Sequence, residues 1–367
     1  MTNVLLLSCA RPGDLSYGGG QRDNLVRDAL LRVANVDTIT ITTDEARLSS
    51  QWDHDQILTV QTTMNAGRIT RLKEFLKIRR IVAALYATGK YDLVVARYFE
   101  KAALVPFAAH RRLIVDGDDF QRSTVGKSIV SRILLGARAV MVRCIAKRAL
   151  HVWLPDPRDR QSLNIAQKQV SILPNTARGA KEGHSQAREA RHRILMVGLY
   201  AFPPNEHGLL WFVREVLPEI VRLYPDAELH AVGNYFQQSL RDLGPPVVMR
   251  GFVDDLGDEY QQADVVICPI RTGSGTQIKV VEALMHGRPT VVSDFSYRGF
   301  ADVLRADEHL FVAARTEDWI KKIREVFDDR AQSGHMAHAG QKAVEAAYSH
   351  EAFTQRVVTT LRECGAA

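Results

Sequence analysis

Short apolar runs alternate with amphipathic stretches along the whole chain, the pattern of strands interleaved with helices in an α/β protein. In the first half the runs predict strands at residues 4–8, 38–42, 93–96, 112–115, 151–154 and 170–173. In the second half they predict strands at 194–197, 228–232, 247–250, 265–268, 290–292 and 310–312. The clearest helical period spans residues 205–224. There Leu209, Leu210, Phe212, Val213, Val216, Leu217, Ile220 and Val221 form one apolar face, and Pro225 ends it.

The rhythm breaks over residues 177–192, which are rich in Gly, Ala, Lys, Glu, Arg and Ser and have no apolar period. This stretch predicts a linker between a first domain at 1–176 and a second at 193–350. A final helical stretch, 351–364, is expected to pack back on the first domain. Each half has a Rossmann-like alternation. The expected architecture is therefore two doubly wound sheets facing a cleft at the C-terminal ends of their strands, where open α/β sheets bind ligands.

Composition narrows the setting. With 46% hydrophobic and 25% charged residues, the 367-residue chain has the balance of a soluble globular protein. No apolar run reaches the roughly 18 residues of a membrane span. The run at 3–8 is too short for a signal peptide and has no basic residue before it, so a cytoplasmic protein is expected. Cys9, Cys144, Cys268 and Cys364 are scattered without metal-type spacing and are expected as free thiols. Charge is uneven: residues 1–180 hold 27 Lys+Arg against 16 Asp+Glu, a net of +11. The remainder holds 21 against 26, a net of −5, and the two sum to +6. The first half is therefore expected to meet an anionic partner.

Candidate chemistry is densest after the strand at 265–268. The segment Pro269-Ile270-Arg271-Thr272-Gly273-Ser274-Gly275-Thr276-Gln277-Ile278-Lys279-Val280-Val281-Glu282 reads as strand, glycine turn and helix, and Gly287 ends that helix. Glycines let backbone N–H groups approach a ligand, and a helix N-terminus favours a diphosphate. Arg271 and Lys279 bracket the turn, and Glu282 stands about one helical turn on from Lys279. A glycine loop alone is a weak motif, and Lys279 and Glu282 equally suit a surface i,i+3 ion pair.

The segment resembles the donor-site helix of GT-B glycosyltransferases of group 1, family four. Glu282 matches the carboxylate that in this family binds the donor ribose. Glu282 is the second Glu of the family's motif, and eight positions earlier Ser274 stands in place of the first. The form Gly-x-Gly-Thr-x-x-Lys-x-x-Glu at 273–282 is similar to one sugar-transferase branch of the superfamily. Val197-Gly198 followed by Asn205, Glu206 and His207 resembles the family's first nucleotide-domain turn, and Gly251, Phe252 and Val253 a strand end that recognises the base. The resemblance implies a donor site built from Gly198, Asn205, His207, Gly251, Phe252, Val253, Arg271, Gly273, Ser274, Gly275, Thr276, Lys279 and Glu282. It also implies a nucleotide-diphosphate sugar as substrate, no cofactor and no metal.

In the first domain, Tyr17-Gly18-Gly19-Gly20 follows the first strand and precedes a helix expected near Gln21, with Gly19 expected to give a reacting group close access. Asp116-Gly117-Asp118-Asp119 follows the strand at 112–115. Asp116, Asp118 and Asp119 are the candidates for a general base or an acceptor-orienting group, and Asp118 and Asp119 also suit helix capping. Two basic stretches, 68–80 and 122–148, mix cations with large apolar residues. They suit a peripheral anionic membrane contact and hence a glycan or lipid-linked acceptor. The expected activity is sugar transfer of the polysaccharide or glycolipid type. The alternatives are a nucleotide-sugar 2-epimerase of related fold or a basic nucleic-acid-binding protein. No nucleic-acid partner is expected, because the basic residues lack interleaved aromatic platforms.

Overall fold

The computed structural model describes residues 1–11, 13, 18–42, 57–61, 67–118, 129–163, 165–166, 169–177, 192–235, 237–253, 255–273 and 277–365. The candidate residues Asp119, Ser274, Gly275 and Thr276, and most of the 177–192 stretch, lie outside the described residues. The chain forms two units. The first comprises Met1–Asn175 together with His350–Ala367, and the second comprises Thr176–Ser349.

The sheet of the first unit has seven strands: β1 (Thr2–Ser8), β2 (Ala34–Thr42), β3 (Ile57–Gln61), β4 (Leu93–Arg97), β5 (Leu113–Asp116), β6 (His151–Leu154) and β7 (Val170–Ile172). Every pairing is parallel, in the order β3-β2-β1-β4-β5-β6-β7. The edge strand β3 was not predicted. Its segment Ile57-Leu58-Thr59-Val60-Gln61 is short and half polar, and it gains strand form by pairing with β2.

Side chains alternate across this sheet as strand geometry requires. Leu5 and Leu7 join one apolar cluster with the helix Arg68–Ala87 and the helix Ile129–Arg148, whereas Val4 and Leu6 join another on the opposite face. That second face is covered by the helix Gly18–Leu31 and by the helix His350–Glu363, whose Phe353, Val357 and Leu361 are buried against Val4, Leu6 and Trp153. The Trp153 indole N–H donates to Thr360 Oγ1 at 3.1 Å, so the last helix also satisfies a buried donor.

The second unit carries β8 (Arg193–Val197), β9 (Glu228–Val232), β10 (Val247–Gly251), β11 (Val265–Cys268), β12 (Thr290–Ser293) and β13 (Phe311–Ala313). The order is β10-β9-β8-β11-β12-β13, again parallel throughout. The helix predicted over 205–224 is two helices, Pro203–Glu215 and Leu217–Leu223, with Val216 between them at φ −114°. Pro218 is the reason: it has no N–H to donate into the preceding turn, and its ring crowds the carbonyl four residues back. The apolar face survives the break, and Leu209, Phe212, Val216, Leu217 and Ile220 are all buried.

Because Phe353 is fully buried beneath β1 and β6, Phe353→Ala is expected to destabilise the protein by about 3–5 kcal/mol. Urea denaturation of the full chain should give an earlier midpoint. An unchanged midpoint would mean that the last helix contributes nothing to the first unit.

Candidate functional site

In the second unit the strand order reverses between β8 and β11, which makes the C-terminal ends of these two strands the topological switch point. The backbone there is compact. Gly233, after β9, has φ +132°, and a Cβ on it would stand 1.9 Å from the Gly198 carbonyl oxygen, so only glycine fits. Gly198 N–H donates to Val232 O at 2.9 Å and Gly233 N–H to Gly251 O at 2.7 Å, tying the ends of β8, β9 and β10 together. Gly208 sits on the Pro203–Glu215 helix where a Cβ would stand 2.8 Å from Pro269 O, which seats that helix directly on the turn after β11.

Into this compact turn reaches Lys279, from the helix Ile278–Met285. It is buried, and its ammonium donates to Asn205 Oδ1 at 2.5 Å. The Asn205 amide is oriented by its own donation to Leu199 O at 2.8 Å, so its oxygen must face the lysine. Gly198 adjoins the pair, since a Cβ there would come within 3.2 Å of Lys279 Nζ. Burial pushes the Lys279 pKa below its ordinary value. On the same helix Glu282 accepts from Tyr260 O–H at 3.1 Å, and burial pushes its carboxyl above the usual range. Tyr260 is itself stacked on His286, with centroids 4.7 Å apart and planes at 16°. Lys279 and Glu282 are therefore not a surface ion pair. Each is held by a different neutral partner on another element.

The other donor-side candidates lie at or after the ends of β10 and β11 or on the Pro203–Glu215 helix. Arg271 is exposed, with its guanidinium 5.0 Å from the Trp211 ring centroid. Gly273 adopts φ +124° beside Pro204. Gly251 has φ +70°, Phe252 is 64% exposed, and Val253 is half-buried. His207 is exposed near the start of the Pro203–Glu215 helix. Gly198, Asn205 and Lys279 are thus in direct contact, and Glu282 joins them through the shared helix. Tyr260, which orients Glu282, was missed. A tyrosine in a short polar helix 22 residues upstream has no local feature that points to the role.

The first unit corrects two expectations. Gly18, Gly19 and Gly20 are not a loop before a helix near Gln21. They form the first turn of the helix Gly18–Leu31, and Gly20 O accepts from Asn24 Nδ2 at 2.8 Å. Asp116 is unsuited to serve as a general base. It is fully buried, accepting from Arg22 Nε at 2.9 Å and Arg22 Nη2 at 2.8 Å, and it is also bonded by Arg97 Nη1. Burial raises its pKa, but the two guanidiniums lower it further, and the carboxyl stays below its usual range.

Around Asp116 lies a network that sequence reasoning recognised only in part. Asp23 accepts from Ser8 Oγ at 2.7 Å, Cys9 N–H at 2.6 Å and Ala10 N–H at 2.9 Å, and it binds Arg97 Nε. Arg22 also donates to Asn175 Oδ1 and Leu173 O, both at 2.8 Å. Tyr98, next to Arg97, holds φ +65°, a conformation costly for any side chain but glycine, and its N–H donates to Asp116 O at 2.8 Å. Asp118 is the half-buried member, 3.5 Å from Arg97 Nη2 and 3.9 Å from Arg22 Nε.

Residues 191–329 match the family model described as Glycosyl transferases group 1. Over 143 residues the chain is 29% identical to the UDP-N-acetylglucosamine–N-acetylmuramyl-(pentapeptide) pyrophosphoryl-undecaprenol N-acetylglucosamine transferase of Hydrogenovibrio crunogenus, covering 36% of this chain and 37% of that one. Over 121 residues it is 32% identical to the phosphatidyl-myo-inositol mannosyltransferase of Mycobacterium tuberculosis, covering 31% of each chain. The matches thus span about a third of the length of these curated relatives. Among solved structures, a sucrose-phosphate synthase from Thermosynechococcus elongatus aligns over all of both chains with TM-score 0.72 at 17% identity. Anabaena Alr3699/HepE in complex with UDP and glucose aligns over 99% of this chain and 100% of its own with TM-score 0.69 at 14% identity. The fold is the GT-B architecture, and its second unit carries the group 1 match.

Removing the Asp116 charge leaves two buried guanidiniums short of a counterion. Asp116→Asn is therefore expected to cost about 3 kcal/mol or more. Since the folded carboxyl titrates below its unfolded value, its contribution is complete above about pH 4 and fades as pH falls towards the lower folded value. Denaturation from pH 7 to pH 3 should therefore fall less steeply with acid in Asp116→Asn than in the parent. Parallel curves would exclude Asp116 as a source of the acid sensitivity.

Proposed function

We propose that the protein is a glycosyltransferase that moves a sugar from a nucleotide-diphosphate sugar to a glycan or lipid-linked acceptor. The observation that carries this reading is the Lys279–Asn205–Gly198 contact at the switch point, with Glu282 held one helical turn away by Tyr260. Lys279 is a buried cation whose hydrogen-bond partner is a neutral amide, and the Glu282 carboxylate acts on it across space without a direct ion pair among the described residues. A diphosphate would supply a directly bonded anion. Glu282, aligned by a phenol, presents acceptor oxygens suited to a ribose diol. The segment lies within the group 1 match, and the two curated relatives are named as an N-acetylglucosamine transferase and a mannosyltransferase.

In the proposed reaction the bond between the anomeric carbon and the diphosphate oxygen breaks while an acceptor hydroxyl oxygen bonds to that carbon and loses its proton. Negative charge grows on the leaving diphosphate. Lys279, Arg271 and the first-turn amides of the Ile278–Met285 helix are assigned to stabilise it, in place of a divalent metal. Arg271 follows β11 with its guanidinium 5.0 Å from the Trp211 ring centroid. Phe252, Val253 and Gly251 are assigned to the nucleobase, and Gly273–Thr276 and His207 to the phosphates. On the acceptor side, Asp118 takes the orienting role that Asp116 cannot.

Three outcomes test this reading. A uridine or guanosine diphosphate at about 100 times its dissociation constant should stabilise the protein by about 2.7 kcal/mol, seen as a thermal shift. Lys279→Met and Glu282→Gln should each abolish most of that shift, and no response to any nucleoside diphosphate would remove the donor-site assignment. Because burial depresses the Lys279 pKa and a bound diphosphate would raise it, any proton exchanged at Lys279 on binding should be taken up, and binding should weaken as pH rises through the range where Lys279 titrates. Calorimetry in buffers of differing ionisation enthalpy measures that uptake. Finally, EDTA should leave transfer unchanged; loss of turnover restored by a divalent cation would overturn the metal-independent assignment.

A further inference from the structure

We propose that the outward face of the helix Arg68–Ala87 docks this protein onto an anionic lipid bilayer. The helix packs on the core of the first unit through Ile78 and Val82, with Phe75, Ile81 and Leu85 half-buried beside them. At about 100° per residue these five share one side of the helix. Ile69, Leu72 and Leu76 fall in a stripe about 60° wide on the opposite side. They are 73%, 59% and 45% exposed. A helix that serves only its own fold turns its apolar stripe to the core and its polar side to water. This one has a second apolar stripe facing out.

The cations select the occupant. Lys73, Lys77 and Arg80 are exposed; Lys73 and Arg80 lie within about 70° of the stripe's centre and Lys77 flanks the same side at about 110°. Glu74, the helix's single acid, points towards the core side and is half-buried. Large apolar side chains flanked by cations with long flexible stems are the makeup of a helix that lies in a membrane interface. A second copy of this face is a poor occupant, because it would bring six like charges together around the stripe. The same layer of the unit repeats the combination. Phe107 is exposed with the Arg148 guanidinium 4.1 Å from its centroid, and Val140 is exposed on the Ile129–Arg148 helix that carries exposed Arg143 and Lys147. Among the described residues no helix is long and apolar enough to cross a membrane.

This inference stands on the helix and not on the transferase reading, and its test needs no nucleotide. The full chain should sediment with vesicles containing phosphatidylglycerol and stay in solution with pure phosphatidylcholine vesicles, with binding lost at high salt. The triple variant Lys73→Glu, Lys77→Glu, Arg80→Glu should bind at least a hundredfold more weakly, at about fivefold per cation removed. Ile69→Ser, Leu72→Ser, Leu76→Ser should lose at least tenfold. All six positions are exposed, so circular dichroism and thermal midpoints should match the parent. As a gain-of-signal measurement, Leu72→Trp should acquire a blue-shifted emission, quenched by brominated lipid, on the anionic vesicles. Equal binding to both vesicle types, undiminished binding by both triple variants, or an unshifted Leu72→Trp would overturn the proposal. So would a concentration-dependent dimer of the parent that the serine variant dissolves, which would make the stripe a contact between copies.

Discussion

A cation taken out of water must be met by an acceptor that cannot move away, and this constraint organises the strand ends in both units. In the first unit it falls on Arg22 and Arg97. Their guanidiniums bind Asp23 and Asp116, and Asp23 collects the backbone N–H groups of Cys9 and Ala10. Arg22 reaches on to Leu173 O and Asn175. One network thereby locks the chain segments that leave β1, β4, β5 and β7. The strained backbone of Tyr98 fits the same account, since its N–H is held by Asp116 O.

The second unit applies the constraint differently. Lys279 is met by an amide and Glu282 by a phenol, so each is oriented but not neutralised. Burial pushes both groups towards their uncharged forms. In the first network both guanidiniums are met directly by carboxylates. In the second, the buried Lys279 and Glu282 make no direct ion pair and bond only neutral partners, and such perturbed buried groups mark a candidate binding site. Its residues fall inside the stretch that matches the group 1 model.

The outward stripe on the Arg68–Ala87 helix obeys a different logic. Burial of apolar surface stabilises the helix on one side through Ile78 and Val82, yet Ile69, Leu72 and Leu76 remain in solvent. Placing cations among them keeps the face soluble while leaving it complementary to an anionic surface. Its role would be to hold the first unit at a lipid surface, a task separate from the nucleotide chemistry assigned to the second.

What was legible in the sequence was local and periodic. Buried parallel strands are continuous apolar runs, so β6, β9 and β11 are read at their observed bounds, and the glycine turn with Lys279 and Glu282 stands out because its residues are close in the chain. The half-polar edge strand β3 escaped notice because its form comes from pairing with β2, and the helix break at Val216 was hidden by an apolar face that continues across it. Partnerships between distant residues left no local trace. Asn205 lies 74 positions from Lys279, Tyr260 lies 22 from Glu282, and Arg22 lies 94 from Asp116. Chain order determined which side chains were present. The crossing of strands and helices decided which of them meet, because a hydrogen bond depends on distance in space, and only the packed fold turns Asp116 from a candidate base into the buried counterion of two arginines.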